Sequence, residues 1–181
     1  TDLLARRLEL VAVQELQDDI SQRLFMETGR NPMGIACEYT GVAMGAVVNQ
    51  ADNDVQFFDT RTLQPVDNLG IGTLTQKYPV GENPIDVVFT PPIPGAGIFA
   101  LIVSQGGEDN PKGSVALWNN NTGGIFSATS GAVLGSVEEG LNIPGRPIYD
   151  WVNGLAFWVP NTGGDDMAKV DIVIQGGSLF T

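Results

Sequence analysis

Residues 47–60 read VVNQADNDVQFFDT, in which two apolar runs flank a stretch of Asn, Gln, Ala and Asp. Short apolar runs on both sides of turn-forming residues are typical of a β-hairpin, because Asn and Asp tolerate the left-handed backbone conformation that a sharp reversal needs. The acidic tip is therefore either a chemical site or one copy of a structural unit that recurs along the chain.

Two later stretches have the same organisation, which favours the structural interpretation. A turn and a proline precede the first strand of each copy, in GRNPMGIACEY, GENPIDVVFTP and GRPIYDWVNG, and the third of these lacks one residue of the motif. Proline suits this place because it fixes φ and has no N–H to leave unpaired. The prolines on which the copies align are Pro32, Pro84 and Pro147.

Each first strand leads into a second strand that ends at a polar tip. The second strands and tips lie in VAMGAVVNQADND, GIFALIVSQGGEDN and GLAFWVPNTGGDD. A third strand is predicted to begin soon after each tip, at Val55, Ser114 and Lys169. The chain from Gly29 onward thus predicts a mainly β fold of many short strands, as in a sandwich, a barrel or a propeller.

The first 27 residues have a different pattern. Apolar residues recur at intervals of three to five without Gly or Pro, which favours an amphipathic helix, although LELVAV also fits the period of a strand. We predict a helical segment at 1–27 and a β-repeat domain at 28–181, with blade-like units at 29–80, 81–144 and 145–181. The apolar positions of the predicted helix are Leu4, Leu8, Val11, Leu16, Ile20 and Leu24.

The repeats resemble the YVTN-type β-propeller repeat, a relative of the NHL and quinoprotein-type propellers. The G-x-N-P turn, VVNQADNDVQFFDTRT and KYPVGENPIDVVFTP carry the resemblance, which covers residues 29–181. It implies blades of short antiparallel strands in a family that includes surface proteins, binding modules and a minority of enzymes. The second repeat departs from the pattern through PPIPGAG and NNNTGGIFSATSG.

The number of repeats bears on the architecture. Closed propellers have about four to eight blades of four strands, whereas this sequence contains three repeats. We therefore predict a propeller-like array that is incomplete or completed by partner subunits, with a β-sandwich as the alternative. Thr1 in place of Met is compatible with a removed export signal, and we expect an extracellular, periplasmic or surface-associated protein.

Composition argues against several classes of function. A net charge of −12 and a pI near 4.1 would repel a phosphate backbone, so nucleic acid is not an expected partner. No apolar run approaches the roughly 20 residues that span a bilayer, and membrane insertion is not expected. Without histidine, the chain by itself cannot build a Ser-His-Asp site, an HExxH zinc site or a His-ligated haem.

The acidic hairpin tips are candidate oxygen ligands for Ca²⁺. Their spacing does not fit the EF-hand pattern, because no array of further ligands follows the first two aspartates. We predict that these residues form solvated turns and that no cofactor is bound, with Ca²⁺ as the alternative. The acidic residues of the three tips are Asp52, Asp54, Glu108, Asp109, Asp165 and Asp166.

Large aromatic residues and the single cysteine are predicted to lie in the core. Alternating aromatic side chains usually fill the space between sheets, although a ligand-stacking surface is the alternative. Cys37, in the apolar-leaning run GIACEY, is interpreted as a small core residue. The aromatic residues concerned are Phe57, Phe58, Trp118, Trp151, Phe157 and Trp158.

Two functional classes agree with these observations. The first is a non-enzymatic binding or structural module that presents loops to protein partners or to other copies of itself. The second, the alternative, is an enzyme of the lactonase or quinoprotein-dehydrogenase kind. The absence of histidine and the three-repeat array favour the first class, and the adjacent pair Glu138 and Glu139 is assigned no catalytic role because neighbouring strand residues face opposite ways.

Overall fold

The computed structural model describes residues 26–38, 43–65, 77–120, 132–175 and 178–180. These residues form a mainly β protein of consecutive antiparallel sheets, which confirms the predicted fold class at that level. The described part contains no α-helix, and none of its helical turns could cross a membrane. The predicted helix at 1–27 lies almost wholly outside the described residues.

The first sheet is an up-and-down meander of four strands. It contains β1 (Pro32–Cys37), β2 (Met44–Asn49), β3 (Asp54–Asp59) and β4 (Lys77–Pro79), each hydrogen-bonded to the next. A short 3-10 turn at Gln50–Asp52 joins β2 to β3. The opening sequence VVNQADNDVQFFDT is therefore the hairpin between the two central strands of this sheet.

The second sheet repeats the same order of strands. It contains β5 (Pro84–Phe89), β6 (Phe99–Ser104), β7 (Ser114–Asn119) and β8 (Ala132–Val137). All six residues of β6 and all six of β7 are buried, as expected of a sheet that is covered on both faces.

The third sheet has three strands in the described part of the chain. It contains β9 (Ile148–Tyr149), β10 (Ala156–Asn161) and β11 (Asp166–Asp171), in the order β11-β10-β9. A separate hairpin follows, formed by β12 (Val173–Gln175) and β13 (Ser178–Phe180).

The sheets pack face to face through two apolar clusters, with the second sheet in the middle. One cluster joins the first and second sheets around Phe57 and Trp118, and the other joins the second and third sheets around Leu101 and Phe157. Successive side chains of β6 point to opposite faces of the second sheet, so this strand contributes to both clusters. Ile102 belongs to the first cluster and Leu101 to the second.

The first strands of successive sheets lie next to one another. β1 contacts β5 along its length, and β5 contacts β9. Gly34 in β1 makes the first approach possible, because a Cβ atom at this position would lie 2.6 Å from the Asp86 Cα atom. Only a glycine fits so close to a neighbouring backbone.

The third repeat begins three residues earlier than the sequence alignment predicts. Pro32 and Pro84 pair with Asn49 and Ser104 at the ends of the second strands, and Pro144 makes the corresponding bridge to Asn161. The alignment on Pro147 is therefore wrong. The strand pairs of residues 144–171 match those of residues 32–59 in register without a gap, so the third strand β11 starts at Asp166 and not at Lys169.

The missed register has a clear cause in the residue before the proline. Asn31 and Asn83 adopt positive φ angles of 53°, which Asn tolerates, and Ile143 adopts 50° at the same place. The backbone N–H groups of Gln50, Gln105 and Thr162 donate to the carbonyl groups of these three residues. The third turn therefore has the same backbone geometry as the first two, although its sequence lacks the G-x-N-P signature.

Candidate functional site

The acidic tip of the first hairpin is tied to the chain that enters β1. The Asp52 carboxylate accepts hydrogen bonds from the backbone N–H of Arg30 at 2.8 Å and from Arg30 Nε at 2.5 Å, and Lys77 Nζ lies 3.5 Å away. These contacts lower the pKa of Asp52 to about 2, the largest cause being the Arg30 backbone N–H. Asp52 is therefore a turn residue whose carboxylate is bound by Arg30 and lies near Lys77.

Asp54 is not a solvated turn residue, contrary to the sequence prediction. It is 8% exposed at the start of β3, and its Oδ1 accepts a hydrogen bond from Asn49 Nδ2 at 2.5 Å. Asn49 in turn accepts from the backbone N–H of Gly29 at 2.9 Å. The pair closes the hairpin where β2 and β3 meet, and burial follows because the chain before β1 crosses over it.

The third hairpin contains the same pair of residues in a more open setting. Asn161 Nδ2 donates to Asp166 Oδ1 at 2.7 Å, and these two residues face each other across β10 and β11 as Asn49 and Asp54 do across β2 and β3. Asp166 is exposed to solvent. In the second sheet Ser104 and Ser114 occupy the matching positions.

The remaining acidic residues of the tips do not converge. Glu108 and Asp109 are exposed on the turn of the second hairpin, and Asp165 is exposed on the turn of the third. In the second hairpin the side chain of Glu82 binds the tip. Its Oε2 accepts hydrogen bonds from the backbone N–H groups of Asp109 and Asn110 at 3.1 and 3.3 Å. Within the described ranges, no three His, Cys, Asp or Glu residues are grouped so that they could hold a metal ion.

The Asp52 contacts predict a pH dependence of stability. A carboxyl whose pKa falls from 3.8 in the unfolded chain to about 2 in the folded protein contributes stability above pH 4, and this contribution is lost as the pH falls towards 2. The variant Asp52→Asn should therefore have a lower thermal midpoint than the parent at pH 7, with the difference shrinking towards pH 2. The Asp59 carboxylate, which binds Arg61, titrates in the same range in both proteins, so its effect on the thermal midpoint is the same in the parent and in the variant. A difference that stays constant from pH 7 to pH 2 would contradict the assignment.

Most of the aromatic residues lie in the core as predicted. Phe57 and Trp118 stack with ring centroids 3.9 Å apart, and Phe58 and Phe157 are buried as well. Trp158 is partly buried, and its Nε1 donates to Asp150 Oδ2 at 3.0 Å.

Trp151 and Cys37 are exposed, so the prediction that both lie in the core is wrong. Trp151 is 62% exposed on the turn after β9. Cys37 ends the edge strand β1, which among the described strands of its sheet pairs with β2 alone, and it shares the exposed face with Ile35, two residues earlier. Alternate side chains of β1 lie on a face that no other described sheet covers, where Ile35 is 65% exposed, and a short apolar run does not reveal which of its residues lie on that face.

These exposed residues surround an open groove of about 440 Å³ where the first strands of the three sheets meet. β1 contributes Ala36 and Cys37 to its wall, and β5 contributes Val88 and Phe89. The groove is the candidate functional site, because it is concave and apolar and because three sheets contribute to it.

The third side of the groove is aromatic. Ile148 and Tyr149 of β9 line it together with Trp151, and the Tyr149 and Trp151 rings meet edge to face with centroids 5.0 Å apart and an interplanar angle of 88°. The two rings form a right-angled corner that is open to solvent on the Trp151 side.

A single carboxylate fixes the turn that carries Trp151. Asp150 Oδ1 accepts from the backbone N–H groups of Val152 and Asn153, each at 3.0 Å, and Oδ2 accepts from Asn153 Nδ2 and Trp158 Nε1. The bond from the Asn153 side chain is the largest of several causes that hold the pKa of Asp150 well below its ordinary value. The carboxylate therefore stays ionised at neutral pH and accepts all four hydrogen bonds of the turn.

Sequence reasoning missed Asp150 and the groove for different reasons. The run DWVNG did contain a usable signal, since an Asp followed by Asn-Gly is typical of a turn closed by the Asp side chain. The groove gave no signal, because its residues come from three segments that only the packing of the sheets brings together. Glu138 and Glu139 are exposed after β8 and are not part of it.

Comparisons with known proteins bear on the fold alone. No family model and no curated protein matches the chain. Among solved structures, it is similar to a functionally unknown protein from Desulfotomaculum acetoxidans DSM 771 known from a crystal structure, with a TM-score of 0.57 and 19% sequence identity. The similarity covers 84% of this chain and 41% of that chain, so this chain spans less than half of that protein's length.

Proposed function

We propose that this protein is a non-enzymatic binding scaffold, in which a propeller-like array of sheets presents loops and an apolar groove to a protein partner within a larger assembly. The propeller-like part of the proposal draws support from the order of strands. Each four-stranded sheet runs in chain order from its first strand outwards, and the first strands β1, β5 and β9 are neighbours. Blades around a common axis have this arrangement.

The solved relative adds independent support for a longer array. A chain more than twice as long contains a region with this fold, as expected where further sheets continue the same stacking. In this proposal the continuation comes from more of the polypeptide or from partner subunits.

The observation that carries the binding role is the turn held by Asp150. Its two tip residues, Trp151 and Val152, are 62% and 91% exposed, although four hydrogen bonds to one carboxylate fix the backbone around them. Exposing a large apolar side chain in a fixed geometry has no benefit for folding. It does favour binding, because a pre-organised aromatic residue loses little conformational entropy when a partner covers it.

The proposal is tested by site-specific photo-cross-linking in an extract of the cells from which the gene comes. A benzophenone amino acid at position 152 should yield a discrete cross-linked protein, and the additional change Trp151→Ala should remove at least about nine-tenths of that product, as expected for a central interface residue. The same amino acid at position 167, where Met167 is exposed on β11 away from the groove, is the matched control.

Two outcomes would contradict the scaffold proposal. One is an equal pattern of cross-links from positions 152 and 167, which indicates random encounters. The other is no product at all, together with a native mass in the same extract that equals the mass of the chain alone.

A further inference from the structure

The turn that carries Trp151 also contains Asn153 followed directly by Gly154, and no other asparagine in the sequence precedes a glycine. Asparagine is a chemically labile residue. Its deamidation is fastest before glycine, because no Cβ atom hinders attack of the glycine nitrogen on the preceding side chain. Asn153 is exposed, so water reaches it. Sequence and solvent access together favour a covalent change at this residue.

Deamidation needs water and no enzyme. The Gly154 nitrogen, having lost its proton, attacks the Asn153 Cγ atom, and the Cγ–Nδ2 bond breaks as ammonia leaves with the proton that the backbone gave up. Water then opens the cyclic imide at either of its carbonyl groups, which produces aspartate or isoaspartate at position 153. The reaction therefore requires a Gly154 N–H that is free to lose its proton and an Asn153 side-chain amide that is free to turn towards it.

Asp150 engages both of these groups in the folded protein. The backbone N–H of Gly154 donates to the Asp150 carbonyl group at 3.0 Å. The Asn153 side chain is bound as well, since its Nδ2 donates to Asp150 Oδ2 at 2.7 Å and its backbone N–H donates to Oδ1 at 3.0 Å. The reactive conformation breaks these bonds, and hydrogen bonds to a carboxylate are stronger than those between neutral groups.

We propose that Asn153 is a deamidation site, that the Asp150 carboxylate keeps it unreactive in the folded protein, and that deamidation opens the Trp151 turn. The product has a second carboxylate at position 153, where the Asn153 amide had donated to Asp150. The hydrogen bond is lost and the two negative charges repel each other. The consequence for binding rests on the proposed scaffold function, whereas the protection of Asn153 does not.

A second turn with the same hydrogen bonds provides a matched control. Asp59 Oδ1 accepts from the backbone N–H groups of Arg61 and Thr62, and the Leu63 N–H donates to the Asp59 carbonyl group. Asp150 makes the same three backbone contacts in its own turn. A change at Asp59 therefore removes the same kind of carboxylate at a distant place in the chain.

The test measures the rate of deamidation at position 153 by peptide mapping and mass spectrometry in mildly alkaline buffer. Asn153 in the folded parent should react at least about tenfold more slowly than in the same chain unfolded by urea. Asp150→Asn and Asp150→Ala should each raise the rate in the folded protein at least about fivefold, whereas Asp59→Asn should leave it unchanged. Circular dichroism confirms the fold of each variant, and the comparison of folded with unfolded parent needs no variant.

Three outcomes would overturn the protection by Asp150. These are equal rates in the folded and the unfolded parent, Asp150 variants that react no faster than the parent, and an acceleration by Asp59→Asn as large as that by Asp150→Asn.

The effect on binding has a separate readout. Asn153→Asp, which carries the product side chain, should remove at least about nine-tenths of the cross-linked product from position 152. If this variant cross-links as the parent does, deamidation does not disable the turn. If the parent itself forms no cross-link, the scaffold proposal fails, while the deamidation rates still decide whether Asp150 protects Asn153.

Discussion

Replacing Trp118 with Ala is expected to lower the free energy of unfolding by about 3–5 kcal/mol, the range for removing a large aromatic side chain from a core. Trp118 is fully buried and stacks on Phe57 at 3.9 Å, with Tyr78 packed edge-on against both rings. The variant loses the transfer free energy of the indole ring, and it leaves a cavity between the first two sheets that β2, β3, β6 and β7 are too firmly paired to close.

Trp151→Ala is the matched control for this prediction. The same chemical change on the exposed turn should cost about 1 kcal/mol or less, because the Trp151 side chain is 62% exposed and its ring meets Tyr149 edge to face. Urea denaturation followed by circular dichroism measures both variants. Similar losses for Trp118→Ala and Trp151→Ala would show that the packing between the first and second sheets does not hold the fold together.

Replacing Asn49 with Ala is expected to cost about 2–4 kcal/mol. Asn49 is fully buried and binds both the Gly29 N–H and the Asp54 carboxylate, so its truncation leaves a partly buried donor and a buried charge without these partners. Lys77 Nζ, 3.8 Å from Asp54 Oδ2, compensates only in part.

The third hairpin provides the control for the Asn49 prediction. Asn161→Ala breaks the equivalent bond to Asp166 and the bonds with Gly140 and Asn142, but the exposed Asp166 carboxylate can be hydrated, and the expected cost is about 1–2 kcal/mol. Thermal or urea unfolding of the two variants gives the ranking. If Asn161→Ala costs as much as Asn49→Ala, burial of the carboxylate is not what makes the first pair important.

The hairpins illustrate how much of the fold could be predicted from the sequence. Apolar alternation and the turn residues of VVNQADNDVQFFDT predict two strands and a tip, and β2 and β3 lie there. The role of the tip could not be predicted in the same way. Asp52 and Asp54 are two residues apart in the sequence, yet one is bound by Arg30 and the other is buried under Asn49, because the chain before β1 folds back over the hairpin.

The third repeat shows where pattern matching fails. Its alignment used the proline in GRPIYDW, since that stretch contains the expected letters, but the bridge and the positive φ angle occur at Pro144 and Ile143. Hydrogen bonds from Thr162 and Gly163 hold the backbone there, so the turn does not depend on the residues that usually favour it.

The sequence by itself determined the local elements of this protein: the period-two strands, the turns at their ends, and the acidic composition that sets its net charge. These features depend on interactions between residues close together in the chain. Only the tertiary structure decided which apolar side chains are covered, since the first sheet packs on Trp118 of β7, whereas Trp151 lies on a turn and is 62% exposed. The groove arises in the same way, because β1, β5 and β9 come from distant parts of the chain and meet only when the sheets stack.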